Sequence, residues 1–531
     1  MSGAPAVIPG LELVLGLLAA AIVLAVVARR VGVPLPVVLV VGGLALGLAW
    51  RLVPGAPRID LPPDVAFFVF LPPLLVSATF DLPFGAFRRN LRPISILAIG
   101  LVLATTTLVA VLAHWMLPML PMASAFVLGA IVSPPDPVAA ASVGQRVGLP
   151  NRLVAILEGE GLVNDATALV AYRLAMTAVV TGAFSWRQLG IDLARSAGLG
   201  IATGLVAGWL IAQVLRRIND AVLETAIFLV APYAAYLAAE HLGGSSILAV
   251  VTIGFFLGLR ITEIGAAATR ITQRVVLNAI VFLINGLVFV LIGVQLGEAA
   301  SGGISRSMFL AFAVVSAGVI GLRLLWMYLV PAVLSLVTAG RTRRDTPSWR
   351  ELTVLGWAGM RGVVSLAAAL SVPFVLPGGA PFPGRGQIVL LTFAVIFATL
   401  VLQGLTLSPL IRVLGVARPG AAEREETAAR RHAAAAAGRR LEELVREHGL
   451  SAQLRDRLEQ LYVRSFTADH GDDAHTNVNQ VRRALLDVER GVVIRLRDAG
   501  SISSDAAQRL LTELDLETVR LHGGFGSLTS E

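Results

Sequence analysis

A chain of 531 residues that is 56% apolar and only 15% charged is not an ordinary soluble enzyme, which carries about a quarter of its residues as charges. All 43 basic residues are arginine, and the formal charge of +8 belongs to the apolar part of the chain, where it serves topology and lipid contact and is no sign of nucleic-acid binding. The absence of cysteine excludes disulfides, thiolate metal sites and a cysteine nucleophile.

Apolar stretches of about twenty residues, long enough to cross a bilayer, follow one another along the chain. Spans are predicted near 11–28, 34–53, 62–79, 94–116, 122–143, 153–180, 191–215, 221–240, 245–259, 275–297, 308–336, 352–374 and 387–414. They are too long and too evenly apolar to alternate as barrel strands, so about thirteen transmembrane helices are expected. The first ten residues lack the basic segment of a signal peptide, and none is expected. One set of connections carries most of the arginines, among them Arg29, Arg30, Arg88, Arg89, Arg216 and Arg217. The other side holds few, chiefly Arg51, Arg58, Arg187, Arg306 and Arg385. This bias puts the N-terminus outside and the C-terminus in the cytoplasm of a multi-pass protein of the cell membrane.

The composition changes at Arg418-Pro419-Gly420. Residues 1–417 read as the transmembrane domain. Residues 418–531, rich in Ala, Arg, Glu and Leu with apolar positions such as Leu454, Leu458 and Leu461, read as a cytoplasmic helical tail, nearly neutral overall. The tail suits dimerisation or anchoring, with a regulatory sensor as the other reading.

Two spans are interrupted. The fifth contains Ser133-Pro134-Pro135-Asp136-Pro137, whose prolines remove backbone donors, and the twelfth contains Gly356, Gly359 and Gly362 around Arg361. Breaks at matching places in two halves of a transporter point to inverted repeats with discontinuous helices. Here spans one to six correspond to spans eight to thirteen.

Ionisable residues at bilayer depth are costly and functional by default. At about 1.5 Å per residue, Asp136, Asp165, Arg323 and Arg361 all fall near the midplane, from four different helices. On the sixth span Glu158 and Asp165 share one face, while Glu160 lies roughly opposite. Glu160 is therefore placed to pair with a buried arginine. Glu158, two turns nearer the cytoplasm, is either the mouth of an inner funnel or a solvated carboxylate. Carbonyl oxygens of the unwound segment suit a small hard cation, with Asp136 and Asp165 as negative ligands and the Ser133 and Thr167 hydroxyls as further candidates.

The segments Ser133-Pro134-Pro135-Asp136-Pro137-Val138-Ala139, Glu158-Gly159-Glu160-Gly161-Leu162-Val163-Asn164-Asp165 and Gly359-Met360-Arg361-Gly362, with Phe70-Leu71-Pro72-Pro73-Leu74, resemble the cation/proton antiporter-1 family, the bacterial NhaP-type and animal sodium/proton exchangers. The resemblance covers about residues 10–415. It implies an all-α, thirteen-helix inverted-repeat fold, with dimerisation spans 1–3 and 7–10 and a mobile core of spans 4–6 and 11–13. It also implies a homodimer, alternating access, no cofactor, and Asp165 as the carboxylate carrying cation or proton. Asp136 and Asn164 would complete that site, Glu160 would pair with Arg323, and Arg361 would stabilise the helix crossing. An Asn-Asp pair in place of two aspartates is the family's mark of electroneutral exchange. Two departures bear on ion preference. Pro135 stands where the family often has a hydroxyl residue, and Gly161 where it often has serine.

The leading expectation is exchange of Na⁺ for H⁺ at one to one, serving pH homeostasis, with K⁺/H⁺ antiport on the same fold as the alternative. An intramembrane aspartyl protease using Asp136 and Asp165, or a channel or receptor, would be of another class. The protease reading gains nothing from Arg361 or the prolines, and a channel or receptor would not require a titrating carboxylate at the midplane.

Overall fold

The computed structural model describes residues 7–50, 63–80 and 90–417, except 138–139, 141–142, 145–146, 183–185, 219, 265–266, 301–304 and 338–346. The helical tail expected over 418–531 therefore lies outside the described residues, as do Arg51, Arg58, Arg88 and Arg89.

The described chain is almost wholly helical. Its only strand-like bridge, among the described residues, joins Val375 and Pro381. In order the helices are α1 (Val7–Val31), α2 (Leu35–Trp50), α3 (Pro63–Phe80), α4 (Leu91–Met116) and α5 (Met122–Val132). Then come α6 (Asn151–Thr181), α7 (Trp186–Leu215), α8 (Ala221–His241), α9 (Ser246–Ile264) and α10 (Ala267–Ala300). The last are α11 (Arg306–Val337), α12 (Trp349–Trp357), α13 (Val363–Leu370) and α14 (Arg385–Val413). Among the described residues, seven helices are long and apolar enough to cross a membrane, and shorter apolar helices lie at Leu35–Ala49, Phe68–Thr79, Met122–Val132 and Ser246–Arg260. Many large apolar side chains stay exposed, such as Leu15, Val23, Trp209 and Leu329, as expected of a surface that meets lipid.

The two expected interruptions are present. The α5 helix stops at Val132, before the prolines, and the twelfth span divides into α12 and α13 around Ala358–Gly362. One irregularity had no signal in the sequence: α4 widens into an underwound π segment at Ile96–Leu101.

The packing repeats with the symmetry expected of inverted halves. The α2 helix packs on α10 as α9 packs on α3, and α4 packs on α5 as α11 packs on α12. The α2–α10 contact is backbone to backbone. A Cβ at Gly43 or Gly47 would overlap Val290 or Val294, and one at Gly293 would overlap Val40. Small residues let membrane helices approach this closely and gain dispersion contacts where apolar burial gives little. Around the breaks, α5, α6, α11, α13 and α14 bury Val127, Leu128, Ile131, Val132, Leu391 and Val395 in one apolar cluster.

Candidate functional site

Where α5 and α12 end in mid-protein, their last carbonyls lose helical partners and must find others. Two arginines supply them. Arg361, 1% exposed, donates from Nε to the Val132 carbonyl at 2.9 Å, from Nη2 to the Ser133 carbonyl at 3.2 Å, and from Nη1 to the Gly359 carbonyl. A cation is therefore fixed at the C-terminal end of α5, where the helix dipole favours positive charge. Arg323, on α11 and equally buried, donates from Nε and Nη2 to the Leu355 carbonyl in the last turn of α12, at 3.3 and 3.2 Å.

Arg323 also holds Glu160 in a two-pronged pair, Nη1 to Oε1 at 2.5 Å and Nη2 to Oε2 at 2.9 Å, with both side chains 1% exposed. The pair joins α6 to α11, and through Leu355 to α12. Such a fork satisfies both carboxylate oxygens, and Glu160 does not line the cavity beside Asp165.

The opposite charge meets the start of α13. The Asp136 backbone N–H donates to the Met360 carbonyl at 2.7 Å, and the Asp136 carboxylate lies over Gly362, where a Cβ would overlap it. Gly362 precedes the first helical residue of α13, so the carboxylate sits at a helix N-terminus, the end that favours negative charge. The crossing is closed by Thr399 of α14, whose hydroxyl accepts from the Arg361 backbone N–H at 3.1 Å.

Asp165 lies halfway along the 31-residue α6 and is 6% exposed. With Asp136 it lines a cavity of about 50 Å³, whose walls include Pro135, Asn285, Gly362 and Ser365. One water needs about 10–15 Å³ of such space, so the cavity admits a small ion with a few waters. Asn164, fully buried, donates from Nδ2 to the Pro135 carbonyl at 3.0 Å, bracing the unwound segment against α6. Its Oδ1 is buried and has no hydrogen-bond partner among the described residues.

Not every expected ligand faces this cavity. The Ser133 hydroxyl donates to the Ala130 carbonyl of its own helix at 3.0 Å, and that of Thr167 donates to the Val163 carbonyl at 3.2 Å. Neither residue is in the cavity wall, and nor are Asn164 and the half-buried Glu158. Asn285, Gly362 and Ser365 are wall residues that the sequence reading did not single out as ligands. The available signal was a lone serine in the otherwise apolar run Val363-Val364-Ser365-Leu366-Ala367.

A second cavity, of about 420 Å³, opens between α6 and α13 on one wall and α3, α7, α8 and α9 on the other. Leu169, one turn along α6 from Asp165, lies in it, as do Tyr172, Arg173 and Glu240. The Tyr172 hydroxyl and Ser371 Oγ, 3.0 Å apart, link α6 to the end of α13 beside it.

Two broken helices crossing at opposite charges, beside a buried carboxylate in an inverted-repeat bundle, define a secondary transporter of the cation/proton antiporter class. The chain belongs to the transmembrane sodium/hydrogen exchanger family, which it matches over residues 17–413. An uncharacterised Na⁺/H⁺ exchanger of Mycobacterium tuberculosis is 34% identical, over 96% of this chain and 96% of that protein. A sodium, potassium, lithium and rubidium/H⁺ antiporter of Bacillus pumilus is 35% identical, over 71% of this chain and 57% of that protein. The fold is that of the sodium/proton antiporter MjNhaP1 of Methanocaldococcus jannaschii, with a TM-score of 0.61 at 20% identity, covering 77% of this chain and 99% of that structure. The chain is thus a multi-pass membrane antiporter exchanging a cation for protons. The protease, channel and receptor readings are left without support.

Proposed function

We propose that this antiporter carries one monovalent cation, Na⁺ first, in exchange for one proton on Asp165, without net charge movement and by alternating access. The observation that carries the reading is the division of the buried acids. Glu160 is held by both oxygens on Arg323, and Asp136 lies at the N-terminus of α13. Asp165 shares a small cavity with Asp136, and no arginine lines it among the described residues. Asn164, which is not in the cavity wall, holds the unwound segment and cannot take up a proton. A single carboxylate that alternates between one proton and one cation gives one-for-one exchange.

In this reading Arg361 and the Arg323–Glu160 pair maintain the crossing, and Glu158 lies towards the inner approach to it. Spans 4–6 and 11–13 form the moving core, and spans 1–3 and 7–10 the dimerising frame of a homodimer in the plasma membrane. The N-terminus is outside, the transmembrane domain ends at residue 417, and the tail over 418–531 is cytoplasmic. Exchange of K⁺ or Li⁺ is the second reading, favoured by the range of ions in the name of the Bacillus pumilus relative.

The test is proton flux in acid-loaded proteoliposomes on adding Na⁺, K⁺ or Li⁺ in turn. Proton release on Na⁺ addition is expected. Release on K⁺ alone would replace Na⁺ by K⁺, and release on none would end the reading.

A further inference from the structure

A small cation entering the cavity beside Asp165 sheds water and needs oxygen atoms in its place. Most neutral oxygens nearby are already engaged. The Pro135 carbonyl accepts from Asn164, the Ser133 carbonyl accepts from Arg361, and the Ser133 and Thr167 hydroxyls donate within their own helices. No side chain can enter from position 161 as the chain stands, because a Cβ there would overlap the ring of Pro137.

Ser365 differs from all of these. It is 1% exposed and lies in the wall of the same cavity as Asp165 and Asp136, and its Oγ has no hydrogen-bond partner among the described residues. A buried hydroxyl without a partner costs stability, whereas alanine would fit the apolar helix around it. In a helix, serine commonly satisfies itself by donating to the carbonyl one turn back. Here that carbonyl would belong to Arg361, in the break before α13, and no such bond forms.

We infer that Ser365 Oγ is a direct ligand of the transported monovalent cation, supplying a neutral hydroxyl from α13 opposite Asp165 on α6. The inference rests on Asp165 as the carrier. A hydroxyl oxygen coordinates a cation through its lone pairs without adding charge, so Ser365 tunes affinity and ion choice and leaves stoichiometry unchanged. It lies on the half-helix α13, just after Gly362, so the ligand set is shared between α6 and α13 and a bound cation holds the two together. Loss of one ligand weakens binding most for the ions that hold their ligands tightest, Li⁺ and Na⁺, and least for K⁺.

The experiment compares wild type, Ser365→Ala, Ser365→Thr and Asp165→Asn in proteoliposomes, with Li⁺, Na⁺ and K⁺ titrated separately. The rise in melting temperature with each ion is also measured on the purified proteins. Ser365→Ala is expected to raise the apparent KM for Na⁺ on the order of tenfold, shift the ion order towards K⁺, and weaken the Na⁺-dependent thermal shift. Its melting temperature without cation should stay the same or rise. Ser365→Thr, which keeps a hydroxyl, should restore most of the affinity. An Ser365→Ala protein with wild-type KM and ion order overturns the inference, and so does one that loses maximal rate alone. An inactive Asp165→Asn in the same series then shows that the carrier assignment survives. Normal exchange by Asp165→Asn would instead remove the reading beneath the inference, and the inference with it.

Discussion

The carboxylate of Asp136 lies directly over Gly362, at the point where α13 begins, with no room between them for a Cβ. The contact explains why a glycine ends the break in the twelfth span. Any side chain at 362 would push Asp136 off the helix N-terminus and out of the cavity it shares with Asp165.

Gly362→Ala is therefore expected to reduce exchange on the order of 100-fold, the scale on which a displacement of about 1 Å acts at a reacting centre. Initial rates in proteoliposomes, normalised to inserted protein, check this. Rates within a few-fold of wild type would mean that Asp136 need not rest on Gly362.

The Glu160–Arg323 pair should behave as structure and not as chemistry. Removing one partner leaves a buried charge without its counterpart, at a cost of about 3–5 kcal/mol. Glu160→Gln and Arg323→Ala should each lower thermal stability, and the double variant should recover part of the loss. Arg323 also serves the Leu355 carbonyl, so recovery in the double variant will be incomplete. Simple additivity of the two losses would show that the pair is not coupled.

Competition between one proton and one cation for a single carboxylate fixes the pH dependence. At low pH each unit of acidification should raise the apparent KM for Na⁺ by at most about tenfold, with the maximal rate at saturating Na⁺ less affected, by mass action at one site. Exchange at fixed Na⁺ thus slows as pH falls. A steeper dependence, about 100-fold per unit, would require a second proton and bring Asp136 or Glu158 into the cycle. An independent check imposes a potential with valinomycin and potassium, once K⁺ transport by the protein itself has been excluded. Proton uptake driven by that potential against balanced Na⁺ and H⁺ gradients would contradict one-for-one exchange.

Much of this was legible in the chain itself. Three prolines around Asp136 announce a broken helix because each removes a donor, and glycines around Arg361 mark its counterpart. Helical spacing also separates Glu160 from Asp165, and in the structure the two acids do serve different neighbours. Spacing alone does not identify the arginine that meets Glu160, since Arg323 and Arg361 fall at similar depth. Only the packing of α6 on the α11–α12 corner distinguishes them, and the family resemblance was needed to choose Arg323. Ser133 illustrates the opposite limit. A hydroxyl beside a break is a natural ligand on paper, but its own helix ends there and offers it a free carbonyl at Ala130. Ser365 went unnoticed because one serine in an apolar helix has no period or partner to mark it.

The central claim is that Asp165 carries both the proton and the cation, and Asp165→Asn tests it most directly. The substitution keeps the size of the side chain and removes its charge and its proton. In purified, correctly inserted protein reconstituted at matched density, Na⁺-driven proton flux is expected to fall to the level of empty liposomes, and Na⁺ should no longer raise the melting temperature. Na⁺-dependent proton flux persisting at a substantial fraction of wild type in that variant would contradict the account.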